Sequence, residues 1–191
     1  MTGPRKPTPA PPPAPTIGDL ARMNEAEFVT LLGGIFEHSP WVAQAAWDSR
    51  PFSSVADLHA VMVHAVQNAE PDVQLALIRS HPQLAGKEAR EGSLTGSSRA
   101  EQAAAGLNGC SAEQLARLRV LNTAYLQKFG FPFVLAVKKR KPAEILAIFE
   151  SRLKHDSAVE FRQCLAEISM IALMRLTSLL ESGPGSGRAQ S

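Results

Sequence analysis

Only two cysteines, Cys110 and Cys164, occur in 191 residues, and a chain of this length can close a hydrophobic core without disulfide staples. Their scarcity fits a reducing, cytoplasmic setting. Charge of one sign is also lacking, since 20 basic residues face 18 acidic ones for a formal net charge of +2. Apart from Lys138-Lys139-Arg140-Lys141 the basic residues are scattered. Tracking a phosphate backbone needs them concentrated, so a nucleic-acid partner is not expected. No apolar run approaches the ~20 residues that span a bilayer, and the N-terminus is proline-rich where a secretory signal is apolar. A soluble chain without membrane association is expected. Metal-binding patterns are missing too: there is no His-Glu-x-x-His and no Cys-x-x-Cys, and His59 and His64 are five apart, off the same-face spacing of a helix. A Gly-x-Ser-x-Gly nucleophile elbow is absent.

Proline, by contrast, is crowded at one end, with seven of the first fifteen residues. This composition predicts an extended, disordered tail over 1–15. Ser182-Gly183-Pro184-Gly185-Ser186-Gly187 predicts a second disordered tail over 182–191. One folded domain is left, over 16–181.

Inside it, helix-start signals recur. Asn24 with Glu27, Ser98 with Glu101, Ser111 with Gln114 and Ser157 with Glu160 all have capping-box spacing, and Pro40 and Pro142 stand where a first helical turn accepts proline. Between them apolar residues follow helical periodicity, as in Phe28, Leu31, Leu32, Ile35 and Phe36. Helices are predicted near 24–37, 40–48, 54–69, 71–80, 98–107, 111–129, 142–154 and 157–181. The fold class is therefore all-α, a single compact domain of about eight helices. One segment departs from this, because Gly130 suits a helix C-cap and Pro132 stops continuation. An extended, buried stretch is predicted near 131–137, and its backbone N–H and C=O groups must find partners in neighbouring helices, water or a ligand.

Three side chains invite a chemical reading. His81 precedes Pro82, which biases it out of helical geometry, and its imidazole is the natural acid–base group near neutral pH. Glu101 admits two roles: it can reach back to the Ser98 N–H as part of a capping box, or face an anion-binding helix start formed with Ser98 and Gln102. Arg175 lies four residues after Ile171 and seven after Ile168, on the core side of the last helix. A guanidinium there must be paired. Its partner is either a structural carboxylate such as Glu101 or the carboxylate of a substrate, and the two are compatible.

Taken in order, Glu37-His38-Ser39-Pro40-Trp41, Arg50-Pro51-Phe52, Ser80-His81-Pro82-Gln83-Leu84-Ala85, Ser98-Arg99-Ala100-Glu101-Gln102, Asn122 with Tyr125, Lys128-Phe129-Gly130-Phe131-Pro132-Phe133-Val134 and Glu167-Ile168 with Arg175-Leu176 resemble the OHCU decarboxylase family. Each motif is weak alone, and the ordered set from Asn24 to Leu180 is specific. The family acts on 2-oxo-4-hydroxy-4-carboxy-5-ureidoimidazoline in uric acid breakdown. The resemblance implies a cofactor-free, usually homodimeric carboxy-lyase that releases CO2 and yields (S)-allantoin. It places the catalytic set on His81, Glu101 and Arg175. Substrate contacts fall on Pro82, on Ser98, Arg99, Ala100, Glu101 and Gln102, and on the backbone of Phe133, Val134, Leu135, Ala136 and Val137. Gln83 stands where the family commonly has aspartate. The competing readings are a non-catalytic helical interaction module, and a related decarboxylase acting on a different ureide.

Overall fold

The structure, a computed structural model, describes residues 14–86, 89 and 91–180. Among them are eight α-helices and no strand. They are α1 (Glu25–Leu32), α2 (Pro40–Ala46), α3 (Val55–Gln67), α4 (Pro71–Arg79), α5 (Gly96–Ala104), α6 (Ala112–Phe129), α7 (Pro142–Arg152) and α8 (Ser157–Leu180). Except for Ala14 and Pro15, the two tails expected from composition lie outside the described residues, as does Glu181.

The caps explain most of the boundaries. Asn24 and Glu27 form a reciprocal box at α1, and Ser111 with Gln114 does the same at α6. Pro40, Pro71 and Pro142 each open a helix where the missing N–H costs nothing. Two boundaries and one cap differ instructively from the expectation. The first helix stops at Leu32, not at 37, because Gly33 and Gly34 lack the side chains that favour helix. The chain then reverses through His38 at φ 47°, which turns Glu37 inward. The helix expected from Ser98 begins at Gly96, since the Thr95 hydroxyl accepts from the Ser98 N–H one turn earlier. At α8 it is Asp156 that accepts from Val159 N–H, and the Glu160 carboxylate goes into the core instead of closing a box on Ser157.

The core is continuous from Leu20 to Leu180, and α8 runs through it, packing against α3 and α4. By length and composition α8 could cross a membrane, with a mean hydropathy of 1.3, which the search for apolar runs did not anticipate. Its buried face carries Glu160, Glu167 and Arg175 beside Ile168, Ile171, Ala172 and Leu176, and every one of these charges is paired inside the domain. It is the core helix here.

The extended stretch is present as expected. Gly130, at φ 76°, caps α6 by donating to the Leu126 carbonyl, and residues 131–137 then run without helix, all of them buried. Aromatic rings hold it from behind: Phe133 stacks on Phe149 with ring centroids 3.8 Å apart, and the Tyr125 ring meets Phe133 edge-on at 5.3 Å. Such pairs add roughly 0.5–1.5 kcal/mol each beyond burial.

Candidate active site

The α4 helix ends in a cap that leaves His81 little freedom. Ser80 N–H donates to the Ala76 carbonyl, and its hydroxyl lies 2.7 Å from the carbonyls of both Leu77 and Glu37. His81 follows with 7% of its surface exposed, and its Nδ1 is 3.0 Å from the Leu77 carbonyl. A carbonyl only accepts, so Nδ1 carries the proton and Nε2 keeps its lone pair. Burial pulls the imidazole down to about 4, against the Leu77 carbonyl and Glu37, which both favour the charged form. His81 is thus neutral at pH 7. The loop beyond it is pinned twice: Ala85 N–H donates to Gln102 Oε1 at 3.0 Å, and Asn122 Nδ2 donates to the Leu84 carbonyl at 3.0 Å.

Arg175 rises from α8 into a nest of acceptors. Nε and Nη2 grip the two oxygens of Glu101 at 2.7 and 2.9 Å. Nη1 meets Glu37 Oε2 at 2.8 Å and the Ile35 carbonyl at 3.3 Å, and Nη2 also reaches Ser98 Oγ at 3.3 Å. All five donors of the guanidinium therefore have acceptors. Glu37 is held from the other side by the hydroxyls of Thr95 at 2.6 Å and Ser98 at 3.0 Å. Burial works to raise the Glu37 carboxyl. The Thr95 hydroxyl, Arg175 and Ser98 outweigh it, so the group stays below the usual carboxylate range.

These elements line a small pocket of about 30 Å³, room for roughly one water molecule as it stands. His81, Pro82 and Leu84 form one wall; Ser98, Glu101 and Gln102 of α5 form the next. Ile171 and Arg175 of α8, with Phe133, Val134, Leu135 and Val137, complete it. Among the described residues no three His, Cys, Asp or Glu side chains group closely enough to share a metal ion.

Ten of the residues singled out in the sequence thus meet at one pocket. Arg99, Ala100 and Ala136 do not line it. The exposed Arg99 turns its guanidinium to the carbonyls of Gly92 and Leu94, at 3.0 and 3.2 Å. Ala100 lies on the neighbouring groove beside Leu31 and Ile35, and the Ala136 N–H is bonded to Glu167 behind the wall. Glu101 is paired with Arg175 and does not close a box on Ser98, because α5 starts before that serine. Sequence reasoning gave Glu37 no role. The available signal was donor arithmetic: a bidentate pair with Glu101 uses two of Arg175's five N–H groups, so the rest demand a second acceptor.

A family model described as OHCU decarboxylase matches residues 21–177. A 2-oxo-4-hydroxy-4-carboxy-5-ureidoimidazoline decarboxylase of Haloferax volcanii is 42% identical over 167 residues, covering 87% of this chain and 97% of the relative. The Mus musculus protein of the same name is 35% identical over 175 residues, covering 90% of this chain and 98% of its own. Among solved structures, one described as (S)-allantoin synthase superposes with a TM-score of 0.70 at 31% identity, covering 86% of this chain and 54% of that one.

Proposed function

The chain belongs to the OHCU decarboxylase family and is a carbon–carbon lyase, and from that premise we propose that it converts 2-oxo-4-hydroxy-4-carboxy-5-ureidoimidazoline to (S)-allantoin and CO2 with His81 and Glu101 handling protons. The observation that carries this reading is a neutral, buried His81 with Nε2 unprotonated, lining the same pocket as a carboxylate clamped by Arg175.

In this substrate the bond from a ring carbon to its carboxylate breaks beside a ring C=N. The electron pair moves into that C=N, so the substrate is its own electron sink. The protein's task is to orient the ring, take up a proton and deliver one to a single face of the ring. His81 Nε2 is fitted to accept in the first transfer, and Glu101 shares the proton handling from the α5 wall. Arg175 orients the substrate. Its donors are all occupied, so a substrate carboxylate can bind it only by displacing a present partner. Glu101, with 21% of its side chain exposed against 2% for Glu37, is the one free to give way. The backbone of 133–137 holds the ring. A homodimer is the expected assembly, and light scattering on the purified chain checks it.

The deciding experiment generates the unstable substrate in situ and follows circular dichroism as allantoin forms. Native protein should accelerate CO2 release and give the S product. Folded His81→Asn and Glu101→Ala variants that kept full rate and S-selectivity would overturn the assignment of roles.

A further inference from the structure

Behind the pocket, on the far side of the extended stretch, a second group of charges is buried. Arg152 donates to Glu160 Oε1 from Nε at 2.8 Å and from Nη2 at 2.5 Å. The Tyr125 hydroxyl and His155 Nδ1 also bond to Glu160. Glu167 lies 4.0 Å from Arg152 Nη1 and accepts from Gln163 Nε2 at 3.0 Å. Two bonds leave this group for the pocket wall: Arg152 Nη1 donates to the Val134 carbonyl at 2.7 Å, and Ala136 N–H donates to Glu167 Oε2 at 2.9 Å. The Arg152 guanidinium also sits 4.6 Å from the centre of the Phe133 ring.

The pattern is that of an edge strand whose neighbour is made of side chains. In an extended chain the backbone groups of residues i and i+2 point to one side and those of i+1 to the other. Val134 and Ala136 are two apart, and both bonds go to the charged group. The backbone of Phe133 and Leu135 is thereby turned the other way, while the Val137 carbonyl accepts from Arg140 N–H; of residues 133–137 all but Ala136 line the pocket. A shift of one residue would exchange the two edges. Burying such charges contributes little net stability compared with apolar packing of the same volume. What it fixes is which edge faces the ligand.

We propose that Glu167 is a positioning residue of the decarboxylase. Acting through the Ala136 N–H, with Arg152 on the Val134 carbonyl, it sets the register in which 133–137 meets the substrate and so the ring face that receives the proton. This rests on the reading that the 133–137 backbone holds the ring.

The test uses the full-length protein with Glu167→Ala and Glu167→Gln, the glutamine keeping an oxygen for the Ala136 N–H. Glu167→Ala is expected to raise KM about tenfold or more, since small misplacements of binding groups are costly, and to lower the enantiomeric purity of the allantoin. Glu167→Gln should return both to within about threefold of native. A purely structural role would lower thermal stability and the active fraction while leaving KM and enantiomeric purity at native values, and that result overturns the proposal. So does a glutamine variant as impaired as the alanine one. Amide hydrogen exchange of the native protein with and without (S)-allantoin tests the underlying reading separately. Protection of the 133–137 amides supports it, and no protection removes it. Protection together with native kinetics in Glu167→Ala sinks the positioning role alone.

Discussion

Among the described residues two arginines are buried, Arg152 and Arg175, each held by carboxylates, and they differ in one respect. Arg152 and its partner Glu160 are both closed off, with side-chain exposures of 5% and 0%. Arg175 is as deeply set, at 6%, but one of its two carboxylates, Glu101, reaches the pocket with 21% of its side chain accessible. Desolvation alone would lower the pKa of either guanidinium, and their carboxylates more than offset it, so both stay charged. The closed pair can only hold geometry. The open one can also exchange a partner, which is what a substrate carrying a carboxylate requires.

The contrast can be broken at several points. The largest effect is expected at the open site, where His81→Asn and Glu101→Ala should each slow decarboxylation by about 10²–10⁴-fold, the range of general acid–base contributions. Thermal unfolding of His81→Asn should stay close to native, whereas Glu101→Ala leaves the Arg175 Nε–H without its carboxylate and should lose about 1–3 kcal/mol; initial rates beside melting curves check this. Next comes Arg152→Ala at the closed site. It strands the fully buried Glu160, and a loss of roughly 3–5 kcal/mol is expected in chemical denaturation.

Glu37→Gln lies between the two. It keeps one of the two acceptor oxygens used by Thr95 and Ser98 and removes the charge facing Arg175, so about 1–3 kcal/mol of stability should be lost, together with a fall in kcat/KM as Glu101 is drawn more tightly to the arginine. A smaller signature comes from pH. His81 titrates near 4 in the fold and near 6.5 unfolded, so between those values only the unfolded chain binds the proton. The stability contributed by the neutral imidazole is complete above 6.5 and is lost as pH falls towards 4. Melting temperatures across that window should fall less steeply in His81→Asn than in native protein. The smallest effect is Thr95→Val, which removes the α5 cap and one bond to Glu37 and should cost about 1 kcal/mol.

The sequence carried the fold wherever the information was local. The boxes at Asn24 and Ser111, the prolines at helix starts and the Gly130 stop are decided within a few residues, and the structure keeps them. It misled where a local signal lost to a distant one. Ser98-x-x-Glu101 and Ser157-x-x-Glu160 have the spacing of capping boxes, yet Glu101 and Glu160 each pair with an arginine, and another residue, Thr95 or Asp156, caps the helix. The site was legible in parts. His81 was marked by Pro82 and Arg175 by its core-side position. Glu37 was hidden because its function depends on a chain reversal at His38, and helical periodicity, which ran the first helix on to residue 37, cannot show it.

Both arginine sites draw on α8, which sends Glu160, Cys164 and Glu167 to one and Ile171 and Arg175 to the other along a single stripe. Each residue advances a helix by about 100°, so the phase of this stripe links the pocket to its backing like two cams on one shaft. Inserting a single alanine between Ile168 and Ile171 would leave the Arg152 cluster in place and swing Arg175 out of its nest. Side chains pointing outward on the same stretch, such as the half-exposed Met170, could change freely. For this enzyme the length of α8 between Glu167 and Arg175 should therefore be held more strictly than the identity of most residues along it.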